Sequence, residues 1–211
     1  LALEGYAVLD LVPPIVGDQQ TANDTFIEQL VDSASAAIDQ VIVQGYSDSH
    51  RIGVAGHSYG ASAAVMLMAH SNHFLAGAAQ SGAYNRTLTP DGFQNERRTM
   101  WEAFGTYRKM SPIFDVPKIK APLLLIHGIK DSNAATTPEQ SRRLFQAIKA
   151  TGGKARLVEL PHESHTYRTR ESIEHVFYEM VRWFDEHVKG WKPPEKTPKP
   201  IKPAPISRET P

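Results

Sequence analysis

The stretch at residues 51–65 carries the residue types best suited to covalent chemistry. Residues 56–60 read GHSYG and fit the pattern G-x-S-x-G; an apolar, strand-like run precedes them, and a run of small residues with helical character follows at 61–69. A strand, a tight turn and a helix form the context in which this pattern makes a nucleophile elbow. The turn strains the serine backbone and lifts its hydroxyl above the sheet. Ser58 is therefore predicted to act as a nucleophile in acyl transfer.

The residues around the serine have predicted roles of their own. Side chains at positions 56 and 60 would collide across so sharp a turn, so glycine is expected at both. The backbone N–H of Tyr59, at the start of the following helix, is expected to point toward a developing oxyanion. His57 is expected to pack its side chain beneath the turn and to take no part in catalysis.

A serine nucleophile needs a general base, and the base needs an acid that orients it. Asp131 follows the apolar run at 123–126, and His165 follows the β-rich run at 155–160. The order Ser, Asp, His, with each residue on a loop after a strand, is that of an α/β-hydrolase. Because the carboxyl ends of parallel strands meet at one edge of a sheet, Ser58, Asp131 and His165 are predicted to converge there.

Other residues compete for these roles. His162 follows the same strand as His165, which is preferred because the loop must reach back toward the serine. Asp115 precedes the run at 122–127, so it would lie at the opposite end of the sheet. The histidines at 162 and 165 flank Glu163, but no further His or Cys cluster has ligand spacing. No metal site and no organic cofactor is therefore predicted.

Alternating strand and helix patterns must position these residues. Strands are predicted at 5–10, 52–55, 74–79, 122–127 and 155–160, and helices at 26–43, 61–70, 96–104, 137–150 and 171–188. The continuous apolar run at 123–126 is typical of a strand buried on both faces. The alternation predicts a three-layer α/β fold, in which a mostly parallel sheet lies between helices.

Length and composition limit the classes of function. The 211 residues include 23 basic and 23 acidic side chains, a balance that indicates neither nucleic acid nor a membrane surface as a partner. The absence of cysteine excludes disulfides and a cysteine nucleophile. No apolar run approaches the length of a membrane span. One domain is predicted over residues 1–190, followed by a tail rich in Pro and Lys at 191–211.

Taken together, these motifs resemble the prolyl oligopeptidase family of serine peptidases, over residues 5–188. The features that carry the resemblance are short and spread along the chain: GHSYGA at 56–61, Asp131 with Asn133, the Gln140-Ser141 pair, and ESH at 163–165. Within that family the sequence looks most similar to the glutamyl endopeptidase branch, in the stretches at 81–90, 92–96 and 160–165.

The resemblance implies an α/β-hydrolase peptidase that acts on a peptide substrate. By this resemblance the triad is Ser58, Asp131 and His165, which agrees with the choice made from the residues alone. It also implies that the Tyr59 N–H serves the oxyanion hole and that Asn133 contacts the backbone carbonyl of the substrate's P2 residue. In the family, an upstream β-propeller and the first strands of the hydrolase domain belong to the same protein. A second oxyanion donor comes from that upstream part.

The loop after the strand at 74–79 suggests a substrate preference. In this fold it overhangs the active site, and here it carries Tyr84 and Arg86, with Arg97 and Arg98 further along. A guanidinium can bind a carboxylate through two hydrogen bonds. Tyr84 and Arg86 are therefore predicted to bind substrate, and Arg86 to favour Glu at P1. The alternative is that these arginines are solvated or only tie the irregular loop together.

Three functions remain open at this point. Peptide hydrolysis through an acyl-enzyme is the main prediction. An esterase or an acylaminoacyl-type exopeptidase would use the same triad, and a non-catalytic interaction module would use only the fold.

The usual α/β-hydrolase sheet places another strand between those predicted at 5–10 and 52–55. The N-terminal strands of that sheet are thus expected to be missing from this chain. Either upstream residues fill the gap, or the first strand shifts inward to pair with 52–55.

Overall fold

The computed structural model describes residues 1–18 and 20–190, so the predicted tail at 191–211 lies outside the described residues. The strands are β1 at Gly53–His57, β2 at Ala76–Gln80, β3 at Leu123–Gly128 and β4 at Ala155–Leu160. The helices are α1 at Phe26–Val43, α2 at Tyr59–His70, α3 at Phe104–Lys109, α4 at Pro138–Ala150 and α5 at Arg170–Phe184. Short 3₁₀ segments lie at Ala2–Glu4, Ala22–Thr25, Arg86–Leu88 and Pro112–Lys118, and a π-helical turn at Asp185–Lys189.

The described residues form one parallel sheet in the order β1-β2-β3-β4. Val54 lies opposite Gly77, Gly77 opposite Leu123, and Leu123 opposite Ala155. Each strand thus pairs with the next one along the chain, after a crossover of the kind that parallel pairing requires. The carboxyl ends of all four strands consequently meet at one edge of the sheet.

Helices cover both faces of the sheet, which confirms the predicted α/β architecture. Leu123 and Leu125 of β3 pack with α2 and α4, whereas Leu124 and Ile126 pack beneath α5. The alternation explains why the β3 run is apolar at every position: side chains two residues apart share a face, and both faces are buried. Helix α1 packs against α2, in a cluster that Val54 of β1 also contacts.

The predicted strand at 5–10 does not form. Residues 6–13 run as irregular chain beside β1, and Val8 and Leu9 are 63% and 50% exposed. Together with α1 and β1 this segment lines a groove of about 1110 Å³. The expected inward shift to pair with 52–55 is also wrong, because β1 pairs only with β2 within the described residues. β-propensity alone does not hold a segment extended when no neighbouring strand takes up its backbone hydrogen bonds.

The predicted helix at 96–104 is also wrong, since α3 begins only at Phe104. The buried Glu96 carboxylate accepts hydrogen bonds from the Arg98 backbone N–H at 3.0 Å and from its guanidinium at 2.9 Å. Asn23 donates to the same carboxylate at 3.3 Å. These local and long-range bonds offer the backbone an alternative to a helix.

Candidate active site

Ser58 lies in the turn between β1 and α2, at the carboxyl edge of the sheet. Its backbone angles, φ 57° and ψ −117°, fall in a region that residues other than glycine rarely occupy. The turn is fixed by hydrogen bonds from the Ser58 N–H to the Gln80 carbonyl at 2.8 Å and from the Ala61 N–H to the Ser58 carbonyl at 3.1 Å. The surrounding fold therefore holds the strain that the elbow prediction required.

The two glycines of the motif differ in how much space is available for a side chain. A Cβ added to Gly56 would lie 2.2 Å from the carbonyl carbon of Gly60 and 2.8 Å from the Ala61 nitrogen, so the expected collision is real at this position. A Cβ added to Gly60 would meet nothing within 4 Å beyond its own helix. The expectation of a steric need for glycine at position 60 is therefore wrong.

The three predicted residues of the triad lie together. His165 Nε2 is 2.9 Å from Ser58 Oγ, and His165 Nδ1 is 2.8 Å from Asp131 Oδ2. A carboxylate can only accept, so Nδ1 carries a proton and Nε2 is left to accept one from the serine. This arrangement of nucleophile, base and orienting acid is suited to acyl transfer.

Asp131 is ionised at neutral pH because of the hydrogen bonds it accepts. Burial by itself raises the pKa of this carboxyl, but hydrogen bonds from His165, the Asn133 backbone N–H and the Thr136 hydroxyl outweigh it and hold the pKa below its usual value. The Asn133 and Thr136 bonds measure 3.0 and 3.1 Å. A negative charge is thus fixed beside the His165 imidazole, where it would stabilise a positive charge on that ring.

His127, which sequence reasoning missed, supports Asp131 from behind. It is fully buried; its Nε2 lies 2.6 Å from the Thr136 carbonyl oxygen and 3.1 Å from Asp131 Oδ2, and its Nδ1 lies 2.7 Å from Ser141 Oγ. Burial lowers the pKa of His127, against the opposing effect of its acceptors, so the ring is neutral. The Thr136 carbonyl can only accept, so Nε2 carries the proton. The sequence signal for His127 was its place as a polar residue at the end of the apolar run at 123–126.

Hydrogen bonds between its two ends close the loop that carries His165. Glu163 accepts hydrogen bonds from the side chain and backbone N–H of Thr169 and from the Arg168 N–H, and the Thr169 hydroxyl is the main reason that its pKa falls to about 2. The same loop also lies close to the end of β3, because a Cβ added to Gly128 would lie 2.3 Å from the Ser164 carbonyl oxygen. Glycine at the end of β3 therefore lets the loops of Asp131 and His165 approach backbone to backbone.

His57 is exposed, so the expectation that it packs beneath the turn is wrong. Its Nε2 lies 2.8 Å from the His165 carbonyl oxygen, and the two imidazole rings are 5.0 Å apart. Because a carbonyl only accepts, His57 donates this hydrogen bond. The elbow and the loop of the base are thereby joined directly.

The alternatives for base and acid lie elsewhere. Asp115 is engaged by His70 at 3.0 Å and by Lys118 at 2.8 Å. His162 is exposed, and it is His165 that contacts Ser58.

The predicted substrate contacts Tyr59 and Asn133 have unused donors. The Tyr59 N–H belongs to the first residue of α2, where it has no acceptor within the helix. Asn133 is exposed, and its Oδ1 accepts from the Ala135 N–H at 3.0 Å, which leaves its amide nitrogen without a partner in the described residues. Both roles stay predictions.

Tyr84 and Arg86 are buried, at 0% and 2% exposure. Neither side chain presents appreciable surface to a substrate in this arrangement, so burial supports neither of the two predicted contacts. The Arg86 guanidinium packs over the rings of Tyr59 at 5.5 Å and Phe93 at 4.8 Å, and its Nε and Nη2 have no acceptor among the described residues. Burial lowers the pKa of Arg86 to about 10, so it stays cationic at neutral pH.

The other two arginines of this region differ from Arg86. Arg98 Nη2 donates to Asp24 at 2.7 Å and to Glu96 at 2.9 Å, so its charge is already paired. Arg97 is exposed.

Gln140 links the loop of Arg86 to the loop of Asp131. Its Oε1 accepts from the backbone N–H groups of Tyr84 and Asn85 at 3.0 and 2.9 Å, and its Nε2 donates to the Ala135 carbonyl at 3.0 Å. The side chain thus bridges the two loops.

Within residues 1–18 and 20–190, no group of three His, Asp or Glu side chains is arranged to hold a metal ion. No helix in this part of the chain has the length and apolar character needed to cross a membrane.

A parallel sheet between helical layers, with a strained serine at a strand–turn–helix junction and Asp and His after later strands, defines an α/β-hydrolase. The model of the prolyl oligopeptidase family matches residues 21–190. The chain therefore belongs to the prolyl oligopeptidase family of serine peptidases.

The chain is similar to much longer proteins. It is 53% identical over 176 residues to the probable chloroplastic glutamyl endopeptidase of Arabidopsis thaliana and 52% identical over 186 residues to that of Oryza sativa subsp. japonica. These matches cover 82% and 87% of this chain but only 18% and 20% of the relatives, so the chain spans about a fifth of their length.

Two solved structures show the same fold. The acylaminoacyl peptidase of Pyrococcus horikoshii has a TM-score of 0.65 at 24% identity, over 81% of this chain and 29% of that chain. Dipeptidyl peptidase 4 of Porphyromonas gingivalis has a TM-score of 0.64 at 20% identity, over 78% and 22%. At this level of identity the likeness establishes the fold alone.

Proposed function

We propose that this chain is the catalytic part of a serine peptidase that hydrolyses peptide bonds through an acyl-enzyme on Ser58. The observation that carries the proposal is the continuous hydrogen-bond path from Ser58 Oγ to His165 Nε2, at 2.9 Å, and from His165 Nδ1 to Asp131 Oδ2, at 2.8 Å. Membership of a peptidase family supports the reaction class.

The proposed reaction has two halves. Ser58 Oγ attacks the scissile carbonyl while His165 Nε2 takes its proton, and the ionised Asp131 stabilises the imidazolium. The Tyr59 N–H donates to the oxyanion. His165 then gives the proton to the leaving amine, and an acyl-enzyme remains. Water repeats the sequence on the ester, which releases the acid and restores Ser58.

A fluorophosphonate probe, followed by matched peptide and ester substrates, tests this function on the full-length protein. Labelling of Ser58 together with peptide cleavage is the expected result. Labelling with ester cleavage alone would favour an esterase, and release of blocked N-terminal residues alone an acylaminoacyl-type exopeptidase. No labelling would favour a non-catalytic module of the same fold.

We further propose that the enzyme prefers Glu at P1 and that Arg86 binds its carboxylate. A buried guanidinium with two unpaired nitrogens is unfavourable until an anion neutralises it. Arg86 lies against Tyr59, the neighbour of the nucleophile, so an acid bound there would be close to the reacting bond. The names of the two plant relatives, probable glutamyl endopeptidases, point to the same preference in those proteins.

Arg86→Met should lower the ratio of kcat/KM for Glu over Gln substrates by about 100-fold, because it removes a desolvated charge pair while keeping much of the packing. Matched substrates that differ only at P1 measure this ratio. Arg97→Met makes the same chemical change at an exposed position and should leave the ratio unaltered. An unchanged ratio in Arg86→Met would remove Arg86 from the role.

We also propose that a further segment of the same protein covers the outer edge of β1. The resemblance names a β-propeller and additional strands as that segment. The support from this chain is the groove of about 1110 Å³ beside β1 and the exposure of Val8, Leu9 and Val12 along it. Each buried backbone group left unpaired at such an edge costs about 1–3 kcal/mol.

The 211-residue chain produced alone should therefore be poorly soluble or turn over peptide far more slowly than the full-length protein. By the resemblance, it would also lack an oxyanion donor. Size-exclusion chromatography and kcat on one peptide measure the two effects. A soluble monomer with full turnover would refute the proposal.

A further inference from the structure

Thr136 lies in contact with both Asp131 and His165. Its Oγ1 is 3.1 Å from Asp131 Oδ2 and 3.0 Å from His165 Nδ1, and the residue is buried. Its backbone carbonyl is 2.6 Å from His127 Nε2, which also contacts Asp131. One threonine thus contacts the acid, the base and the buried histidine behind the acid.

The direction of each hydrogen bond follows from which atoms can donate. The ionised Asp131 only accepts, and His165 Nδ1 carries a proton because it lies 2.8 Å from Oδ2. The Thr136 hydroxyl has one proton and faces both atoms. It must therefore donate to Asp131 Oδ2, and its lone pair accepts a share of the Nδ1–H of His165.

We infer that Thr136 is a positioning residue that aligns the Asp131 carboxylate with the His165 imidazole. The inference rests on the proposed function, because it assigns a role within that triad. Thr136 and His127 donate to Oδ2 beside the His165 bond, so the carboxylate oxygen is held by three donors. The shared Nδ1–H in turn limits rotation of the imidazole, which keeps Nε2 directed at Ser58.

The backbone brings Thr136 to this place without help from its hydroxyl. The Thr136 N–H donates to the Asn133 carbonyl at 3.0 Å, and the Ala135 N–H donates to Asn133 Oδ1 at 3.0 Å. Thr137 then precedes α4 at its N-cap. Removal of the hydroxyl should therefore leave the loop path intact.

The test is Thr136→Val in the full-length protein, which replaces the hydroxyl by a methyl group of similar size. We expect kcat to fall by about 10- to 100-fold with KM nearly unchanged, because alignment is lost while the substrate contacts remain. The rate of labelling by a fluorophosphonate should fall by a similar factor. Thr136→Ser, which keeps the hydroxyl, should restore most of both rates.

Thr137→Val is the matched control, since the same change falls one residue away on a half-buried side chain that makes no capping hydrogen bond. It should stay within about twofold of wild type. If Thr136→Val does not fold, Thr136→Ala compared with Thr136→Ser makes the same test. Wild-type rates in Thr136→Val or Thr136→Ala, or a loss that Thr136→Ser does not restore, would overturn the inference alone. Wild-type protein that the probe never labels would overturn the proposed function and the inference with it.

Discussion

Replacing Ser58 with alanine is expected to lower kcat for peptide hydrolysis by about 10⁶-fold while the protein stays folded. The hydroxyl is the proposed nucleophile, and without it only slow direct attack by water remains, which forms no acyl-enzyme. Its hydrogen bond to His165 Nε2 contributes only about 1 kcal/mol to folding. Alanine keeps the same Cβ, so the strained backbone at this position is no worse. Steady-state kinetics and thermal denaturation measure the two effects.

A pair of histidine variants tests which histidine acts on Ser58. His165→Ala should lose activity on a scale comparable to Ser58→Ala, whereas His162→Ala should stay close to wild type because its side chain is exposed and away from the serine. The two changes are identical and only three residues apart, so general damage to the loop would affect both. Loss of turnover in His162→Ala with activity kept in His165→Ala would contradict the assignment.

The parts of the fold that the sequence predicted well are those decided by local pattern. Helix α1 at Phe26–Val43 and strand β4 at Ala155–Leu160 fall on their predicted bounds, because apolar periodicity and turn residues delimit each of them. The strand at 5–10 and the helix at 96–104 failed because of contacts that periodicity does not encode. The first has no neighbouring strand among the described residues, and in the second Glu96 is bonded to nearby Arg98 and to distant Asn23.

The residues of the site also fall into those that the sequence could predict and those that it could not. Ser58, Asp131 and His165 could be found because a motif and the geometry of parallel strands place them at one edge. Thr136 gave no such signal, since its role depends on contacts between separate loops, and His127 was marked only as a polar residue at the end of an apolar strand. The burial of Arg86 was equally invisible, because an arginine in a polar loop is ordinarily solvated.

Gly56→Ala is expected to destabilise the protein by about 3 kcal/mol or more and to lower the rate of fluorophosphonate labelling by at least about 100-fold. The added Cβ would lie 2.2 Å from both the carbonyl carbon and the carbonyl oxygen of Gly60. These are backbone atoms at the start of α2, so no side chain can turn aside to make room. Relief requires the elbow to open, which moves Ser58 Oγ away from His165. Denaturant unfolding and probe kinetics measure the two effects.

Gly60→Ala is the control for Gly56→Ala. It shows whether the loss comes from a lack of space at position 56 or from any change in the G-x-S-x-G motif. An added Cβ at position 60 meets nothing within 4 Å beyond its own helix, and alanine is favoured over glycine inside a helix by about 1 kcal/mol. The variant should therefore fold at least as stably as wild type, although both glycines belong to the same five-residue pattern. Equal destabilisation by the two changes would mean that position 60 needs glycine for a reason other than space. In that event a segment covering the groove, which Gly60 also lines, would be the first place to look for the missing contact.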